Sequence, residues 1–128
     1  MKHVWIVDDD EEMSRAVQLM LKLLEFDTRA FLGARPAAQA LLAGERPDLF
    51  ILDINMPEVS GIDLLEFLRR RSESKDLPVI MLSTEAADVT VDKALSLGAD
   101  AYITKPVAID ELEAAMHQAF MAHGKQTE

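Results

Sequence analysis

Side chains that can hold a metal ion or contact a phosphoryl group stand just after short apolar runs of this sequence. They are, in chain order, Asp8, Asp9, Asp53, Ser83 and Lys105. Clustered carboxylates raise one another's pKa or require a cation, and Mg²⁺ is a hard ion that takes one or two carboxylates together with water and phosphate oxygens. A hydroxyl and an ammonium beside that ion would complete a receptor for phosphate, because phosphoryl transfer is stabilised mainly by such charges.

The three aspartates divide between two roles. Asp8 and Asp9 are adjacent and suited to holding a metal ion, whereas Asp53 stands alone after its own apolar run. A carboxylate can act as a nucleophile and form an aspartyl phosphate. Of the three aspartates, Asp53 is the best placed to act as such a nucleophile.

The elements that must position these groups follow from the hydrophobic pattern. Short apolar runs, typical of strands buried on both faces, alternate with segments in which apolar residues recur every three or four positions, as in helices. The predicted strands cover residues 4–7, 28–31, 49–52, 79–82 and 101–103, and the predicted helices cover residues 13–24, 37–43, 62–68, 88–97 and 109–122. Five strand–helix alternations predict an α/β domain with a parallel sheet.

A parallel sheet brings the carboxyl ends of its strands to one edge. Open α/β sheets bind ligands at that edge, in the crevice where the strand order reverses. In a five-stranded sheet of order 2-1-3-4-5 this crevice lies between the first and third strands, which carry Asp8, Asp9 and Asp53. The spacing therefore predicts one concave site, with Ser83 and Lys105 nearby.

Composition narrows the class of protein. The chain has 128 residues, the length of one domain. Its 13 basic and 23 acidic residues give a net charge of −10, so we expect no direct nucleic-acid binding by this segment. The lack of cysteine excludes disulfides, thiolate catalysis and cysteine-based zinc sites. No apolar run is long enough for a membrane span or a secretory signal, so we expect no membrane contact and a cytoplasmic location.

Taken in register, four segments resemble the response-regulator receiver domain of two-component signalling. They are Ile6-Val7-Asp8-Asp9, then Leu52-Asp53-Ile54-Asn55-Met56-Pro57 with Gly61, then Met81-Leu82-Ser83, then Tyr102-Ile103-Thr104-Lys105-Pro106. Asp-Asp alone and Lys-Pro alone are weak signals, but the whole set in register is a strong one. The resemblance covers residues 2–122 and implies a doubly wound, flavodoxin-like fold, with a five-stranded parallel sheet of order 2-1-3-4-5 flanked by five helices.

The resemblance also implies roles for the site residues. Asp53 would receive the phosphoryl group from the histidine of a sensor kinase. Asp9 would bind Mg²⁺ directly, Asp8 would act largely through metal-bound water, and Asp53 and the backbone carbonyl of Asn55 would complete the protein's ligands. Lys105 would pair with Asp53 before phosphorylation and with the phosphoryl oxygens afterwards.

The switch is implied in the same way. Ser83 would donate its hydroxyl to a phosphoryl oxygen, and Tyr102 would change rotamer as the Ser83 loop moves inward. The Lys105–Pro106 peptide bond would be cis, which costs little before proline. The surface that reports phosphorylation would lie on the fourth helix, fifth strand and fifth helix, around residues 88–122.

Domain limits and partners follow from the family. Residues 1–122 would form the receiver domain and residues 123–128 a polar tail. The expected partners are a sensor histidine kinase, a downstream protein or an output domain fused beyond Glu128, and a second copy in a phosphorylation-dependent homodimer. Composition does not decide between a stand-alone regulator and a receiver that is part of a longer protein.

Two positions depart from the family pattern. Thr84 stands where alanine is frequent, and its bulkier side chain is expected to slow access to the phosphoryl group. Val107 stands where phenylalanine is common after Lys-Pro, which leaves less aromatic packing near the fifth strand.

Plainer explanations exist for each group alone. The acidic run 8–12 can complement the start of a helix, the interpretation that we prefer for residues 10–12. Asp53 can be a helix cap, Ser83 a turn hydroxyl and Lys105 a surface lysine. Their joint occurrence at the ends of successive strands favours a site.

Two other functions stay open at this point. A Mg²⁺-dependent phosphatase of the haloacid-dehalogenase kind also uses an aspartate nucleophile, but it needs a second aspartate two positions later, where this chain has Asn55. A receiver fold that acts only as an interaction module would be suggested by loss of an acid, the lysine or the hydroxyl. All of these are present, so we rank that function below the phosphate switch.

Overall fold

The computed structural model describes residues 2–84 and 88–125. Strands and helices alternate along the chain in the order β1 (His3–Val7), α1 (Glu11–Leu23), β2 (Asp27–Phe31), α2 (Ala34–Leu42), β3 (Leu49–Asp53), α3 (Gly61–Arg70), β4 (Val79–Ser83), α4 (Asp88–Ser96), β5 (Ala101–Thr104) and α5 (Ile109–Ala122). The strands form one sheet of order β2-β1-β3-β4-β5, and every neighbouring pair is parallel. The predicted fold class and strand order are confirmed.

The element boundaries differ from the predicted ones by a few residues, for local reasons. Helix α1 begins at Glu11 because the Asp10 side chain accepts hydrogen bonds from the backbone N–H groups of Glu12 and Met13 and so caps the helix. The apolar pattern marks only the buried face of the helix, so the helix predicted from it begins two residues later, at Met13. At the sheet, Asp53 and Ser83 are the last residues of β3 and β4 rather than the first residues after them.

The sheet separates two apolar layers, and successive residues of a strand point to opposite layers. On β1, Trp5 and Val7 pack in the layer that contains α2, α3 and α4, whereas Val4 and Ile6 pack in the layer that contains α1 and α5. Strands β3 and β4 are buried along their whole length. These two central strands therefore give a rigid support to the residues at their carboxyl ends.

A partly buried polar network ties the amino ends of β4 and β5 to α3 and α5. The Arg69 guanidinium donates to the carbonyl oxygen of Leu77 at 2.7 Å and to that of Gly98 at 2.8 Å, and lies 3.2 Å from Asp100 Oδ2. The same oxygen accepts the backbone N–H of Val79 at 2.9 Å and lies 2.9 Å from His123 Nε2. One carboxylate thus joins four elements at the edge opposite the strands' carboxyl ends.

Two expectations concern the ends of the domain and the membrane. Helix α5 ends at Ala122, but residues 126–128 of the expected tail lie outside the described residues, so the domain limits stay a prediction. None of the helices in the described part of the chain has the length and apolar content that crossing a bilayer requires.

Candidate functional site

The residues singled out in the sequence lie together at the carboxyl edge of the sheet. Asp8 follows β1, and its backbone N–H donates to the Phe31 carbonyl at the end of β2. Asp53 ends β3 and Ser83 ends β4. Lys105 follows β5, and its backbone N–H donates to the Ser83 carbonyl at 2.8 Å. The backbone ladder of the sheet thus fixes these positions relative to one another.

Three carboxylates meet in this crevice. One oxygen from each of Asp8, Asp9 and Asp53 lies within 4.8 Å of the others. Asp8 is fully buried and Asp53 is 4% exposed, whereas Asp9 faces solvent. The cluster is therefore a pit with two acids in its floor and one at its rim.

The Lys105 ammonium reaches both buried acids. Its Nζ lies 2.9 Å from Asp8 Oδ2 and 3.5 Å from Asp53 Oδ1, and the side chain is 10% exposed. The other oxygen of Asp8 accepts the backbone N–H of Asp10 at 2.9 Å. The expected Lys105–Asp53 pair is thus present, but the shorter contact is with Asp8.

The pit raises the pKa of Asp53 from 3.8 to about 6. Burial is the largest cause, and the nearby Asp8 carboxylate adds to it. The Lys105 charge and the Asn55 backbone N–H act in the opposite direction. Burial lowers the pKa of Lys105, but the hydrogen bond to Asp8 and the charges of Asp53 and Asp8 outweigh it, so that pKa lies above its ordinary value.

The donor set fits a hard divalent cation. Three carboxylates face one ammonium, so the pit carries two negative charges in excess when all three acids are ionised. Oxygen ligands are those that Mg²⁺ takes in proteins, and a divalent ion would offset this excess. Asp9 at the rim gives such an ion access from solvent.

Asn55 contacts two of the site residues, and only its backbone carbonyl was expected from the sequence to matter. Its backbone N–H lies 3.3 Å from Asp53 Oδ1, and its side-chain Nδ2 lies 3.2 Å from Ser83 Oγ. The first contact resembles an Asx turn, which an Asp at the end of a strand can signal because its side chain can accept the backbone N–H two residues further on. The second joins residues 28 positions apart, and nothing in the local sequence indicates it.

Gly61 holds the start of α3 against the backbone of Asp53. A Cβ at this position would lie 2.1 Å from the Asp53 carbonyl oxygen and 2.8 Å from its carbon. The Gly61 N–H donates to the Ile54 carbonyl at 3.1 Å, and the Ser60 side chain caps the helix. Glycine is therefore required by this close approach, whereas the sequence indicated only its place in the motif.

The remaining site predictions concern β5 and the loops. Tyr102 is half-buried on β5, lies opposite Met81 and packs against the layer that contains α4. Its change of rotamer stays a prediction. Thr84 is exposed, and the three residues that follow it are outside the described ones. The Lys105–Pro106 bond is cis, as expected, and Val107 is buried in the layer with α1 and α5.

Comparison with known families gives one match over most of the chain. Residues 4–117 match the family model described as the response regulator receiver domain. That stretch includes every residue placed in the pit above.

Several curated proteins of similar sequence are named as transcriptional regulators. The chain is 37% identical over 109 residues to the phosphate regulon transcriptional regulatory protein PhoB of Rhizobium meliloti (strain 1021), covering 85% of this chain and 48% of that protein. It is 35% identical over 129 residues to the KDP operon transcriptional regulatory protein KdpE of Escherichia coli (strain K12), covering 99% and 55%. The chain therefore spans about half the length of these relatives.

Solved structures of similar shape cover nearly all of the chain. The chemotaxis protein CheY4 of Vibrio cholerae superposes with a TM-score of 0.84 at 27% identity, covering 93% of this chain and 98% of that one. The signal receiver domain of a histidine kinase from Syntrophus aciditrophicus superposes with a TM-score of 0.84 at 29% identity, covering 100% and 96%. The family assignment and the fold thus agree.

Proposed function

Since the chain belongs to the response regulator receiver domain family, we propose that it is a phosphorylation-controlled switch in which Asp53 accepts the phosphoryl group. The observation that carries this proposal is the convergence of Asp53 with two further carboxylates and the Lys105 ammonium in one pit. Asp53 is the last residue of the buried strand β3, and the start of α3 at Gly61 packs closely against its backbone. This arrangement suits a nucleophile whose position must not vary.

The transfer exchanges one bond to phosphorus for another. An Asp53 carboxylate oxygen forms the new O–P bond as the P–N bond to the phosphohistidine of a sensor kinase breaks. The electron pair of that bond stays on the imidazole nitrogen, which takes up a proton. Lys105, already 3.5 Å from Asp53 Oδ1, stabilises the charge on the phosphoryl oxygens.

Mg²⁺ would be held by Asp8, Asp9, Asp53 and the backbone carbonyl of Asn55. When bound, it supplies positive charge that neutralises phosphoryl oxygens and the excess of carboxylates. Asp9 is exposed and suited to direct contact. Asp8 has one oxygen on Lys105 and the other on the Asp10 N–H, which supports a contact through water instead.

The switch follows from the charge that phosphorylation adds. A phosphoryl group on Asp53 brings acceptor oxygens, to which the Ser83 hydroxyl and Lys105 are drawn. Ser83 ends β4, so its movement shifts that strand end, and Tyr102 on the adjacent strand changes rotamer. The altered surface includes α4, β5 and α5, residues 88–122. Phosphate in this view biases an equilibrium between two conformations.

The partners and setting belong to the same proposal. A sensor histidine kinase supplies the phosphate, and a downstream protein, a fused output domain or a second copy of the chain reads the switched surface. Residues 1–122 form the receiver domain, and it works in the cytoplasm. PhoB and KdpE are named as transcriptional regulatory proteins, which supports an output of that class.

Phosphorylation by a small acyl phosphate tests the proposal without the kinase. The protein is incubated with acetyl phosphate with and without Mg²⁺, and intact mass spectrometry counts the phosphoryl groups bound. We expect one group in the presence of Mg²⁺, none after chelation and none in Asp53→Asn. The matched control is Asp76→Asn, which changes an exposed aspartate before β4 and should be labelled like the parent.

Three results would contradict the proposal. Undiminished labelling of Asp53→Asn would mean that another residue accepts the phosphate. Steady release of phosphate from a phosphomonoester would favour the phosphatase. Absence of labelling, with unchanged binding of a partner, would favour a pure interaction module.

A further inference from the structure

We infer that Asn55 is a positioning residue, whose side chain orients the Ser83 hydroxyl so that it donates its proton to a phosphoryl group. This inference rests on the proposed function. It concerns the side chain of Asn55, and it is separate from the ligand role given to the backbone carbonyl of the same residue.

The inference rests on a hydrogen bond between the loop that follows β3 and the end of β4. Asn55 Nδ2 lies 3.2 Å from Ser83 Oγ, although the two residues are 28 positions apart. Ser83 is fully buried, whereas Asn55 is exposed on the loop after β3. The amide thus reaches inward from the loop and fixes a hydroxyl that bulk water does not reach.

Asn55 can fix that hydroxyl because its own backbone is held from several sides. Its N–H lies 3.3 Å from Asp53 Oδ1. The preceding residue, Ile54, donates its N–H to the Leu82 carbonyl and accepts the Gly61 N–H. The Asn55 side chain therefore extends from a rigid segment, and its position is tied to that of the phosphoacceptor.

The chemistry of the two groups decides the direction of the effect. An amide nitrogen only donates, so Ser83 Oγ is the acceptor in this contact and its proton points away from Asn55. Phosphoryl oxygens only accept, so Ser83 must donate to them. A hydroxyl that already accepts one hydrogen bond is a stronger donor of the next. Asn55 thus orients and strengthens the donor that a phosphoryl group on Asp53 requires.

A double-mutant cycle separates this role from any direct effect of Asn55 on Asp53 or on the metal ion. The rate of labelling by acetyl phosphate at saturating Mg²⁺ is measured in the parent, Asn55→Ala, Ser83→Ala and the double variant. Loss of one hydrogen bond between neutral groups predicts a rate about fivefold lower in Asn55→Ala. In the Ser83→Ala background the same change should have no effect, because the hydroxyl on which it acts is gone.

Three further measurements separate the effect of this hydrogen bond from general structural effects. Glu58→Gln alters an exposed side chain of the same loop and should keep the parent rate. Mg²⁺ affinity, followed by Trp5 fluorescence or calorimetry, should be equal in the parent and Asn55→Ala. Asn55 is the single asparagine of the chain, so its side-chain amide signals can be identified by NMR. These signals should shift in Ser83→Ala.

Every outcome is decisive. If the parent takes up no phosphate, the proposed function fails and the inference fails with it. If the parent is labelled but Asn55→Ala is equally fast, the inference alone is wrong. An equal loss in both backgrounds, or a parallel loss of Mg²⁺ affinity, would also overturn it, since Asn55 would then act without Ser83.

Discussion

The Lys105 ammonium lies 0.6 Å nearer to Asp8 than to Asp53, at 2.9 Å against 3.5 Å. Asp8 is fully buried, so Lys105 is the counter-charge of an acid that solvent cannot stabilise. The lysine therefore supports the folded state as well as facing the phosphoacceptor. A substitution of Lys105 must change both stability and phosphate chemistry.

Lys105→Met should lower the free energy of unfolding by about 3 kcal/mol in metal-free buffer, because it leaves buried carboxylates without a counter-charge. Urea unfolding measures the change. Lys75→Met, which alters an exposed lysine, should change stability by less than about 0.5 kcal/mol. Added Mg²⁺ should restore part of the loss. Equal, small changes in both variants would show that Asp8 does not depend on Lys105.

Asp53→Asn should stabilise the metal-free protein at neutral pH. The pKa of Asp53 is about 6 in the folded state against an ordinary value of 3.8, so the fold disfavours the ionised form. That penalty is absent below pH 4, grows as the pH rises to 6 and is complete above it, at roughly 2 to 3 kcal/mol. Asp53→Asn should therefore raise the free energy of unfolding by this amount at pH 7.5 and by little at pH 4. Urea unfolding in the presence of a chelator at the two pH values measures the difference.

Asp9→Asn is the matched control for this prediction. Asp9 belongs to the same cluster but faces solvent, which screens its charge. Asp9→Asn should therefore raise the free energy of unfolding by less than Asp53→Asn does. A larger gain for Asp9→Asn than for Asp53→Asn would contradict the assignment of the buried acid as the destabilising one.

Gly61→Ala should damage both the fold and the site. The added Cβ would lie 2.1 Å from the Asp53 carbonyl oxygen, so the start of α3 or the end of β3 must move. We expect a loss of about 3 kcal/mol in the free energy of unfolding and slower labelling by acetyl phosphate. Gly33→Ala is the control, since its Cβ would meet only Pro36 Cδ at 3.8 Å, on extended backbone. Comparable behaviour of the two variants would refute the close approach.

Arg69→Ala and Arg70→Ala should differ sharply, although the residues are neighbours on α3. Arg69 is 16% exposed and bonds the carbonyls of Leu77 and Gly98 and the Asp100 carboxylate, so its loss should cost about 3 kcal/mol. Arg70 is 79% exposed and pairs only with Glu66 among the residues described, so its loss should cost under about 0.5 kcal/mol. Thermal unfolding separates the two cases. Similar transition temperatures would contradict the structural role of the network.

The fold was predictable because its signal is carried by many residues. Residues 49–52 are apolar on both faces of their strand, and the alternation of such strands with helices favours a parallel sheet covered by helices on both sides. The common location of Asp8, Asp53 and Lys105 was predictable too, since parallel strands place all their carboxyl ends at one edge. The ends of the helices were predicted less accurately than their existence, because capping residues such as Asp10 extend a helix beyond its apolar pattern.

Side-chain partners could not be predicted in the same way. The pattern places Lys105 at the correct edge, but the choice between Asp8 and Asp53 depends on distances of a few tenths of an ångström. The bond from Asn55 to Ser83 depends on the rotamer of an exposed side chain. Neither leaves a trace in spacing or composition.

The polar network around Asp100 has a mechanical consequence for the domain. It fastens the amino ends of β4 and β5 to α3 and to the end of α5. The opposite ends of these strands carry Ser83 and Lys105. A displacement that begins at Asp53 is therefore expected to be largest at the carboxyl ends of β4 and β5, beside the phosphate, and smallest at their amino ends, near Asp100.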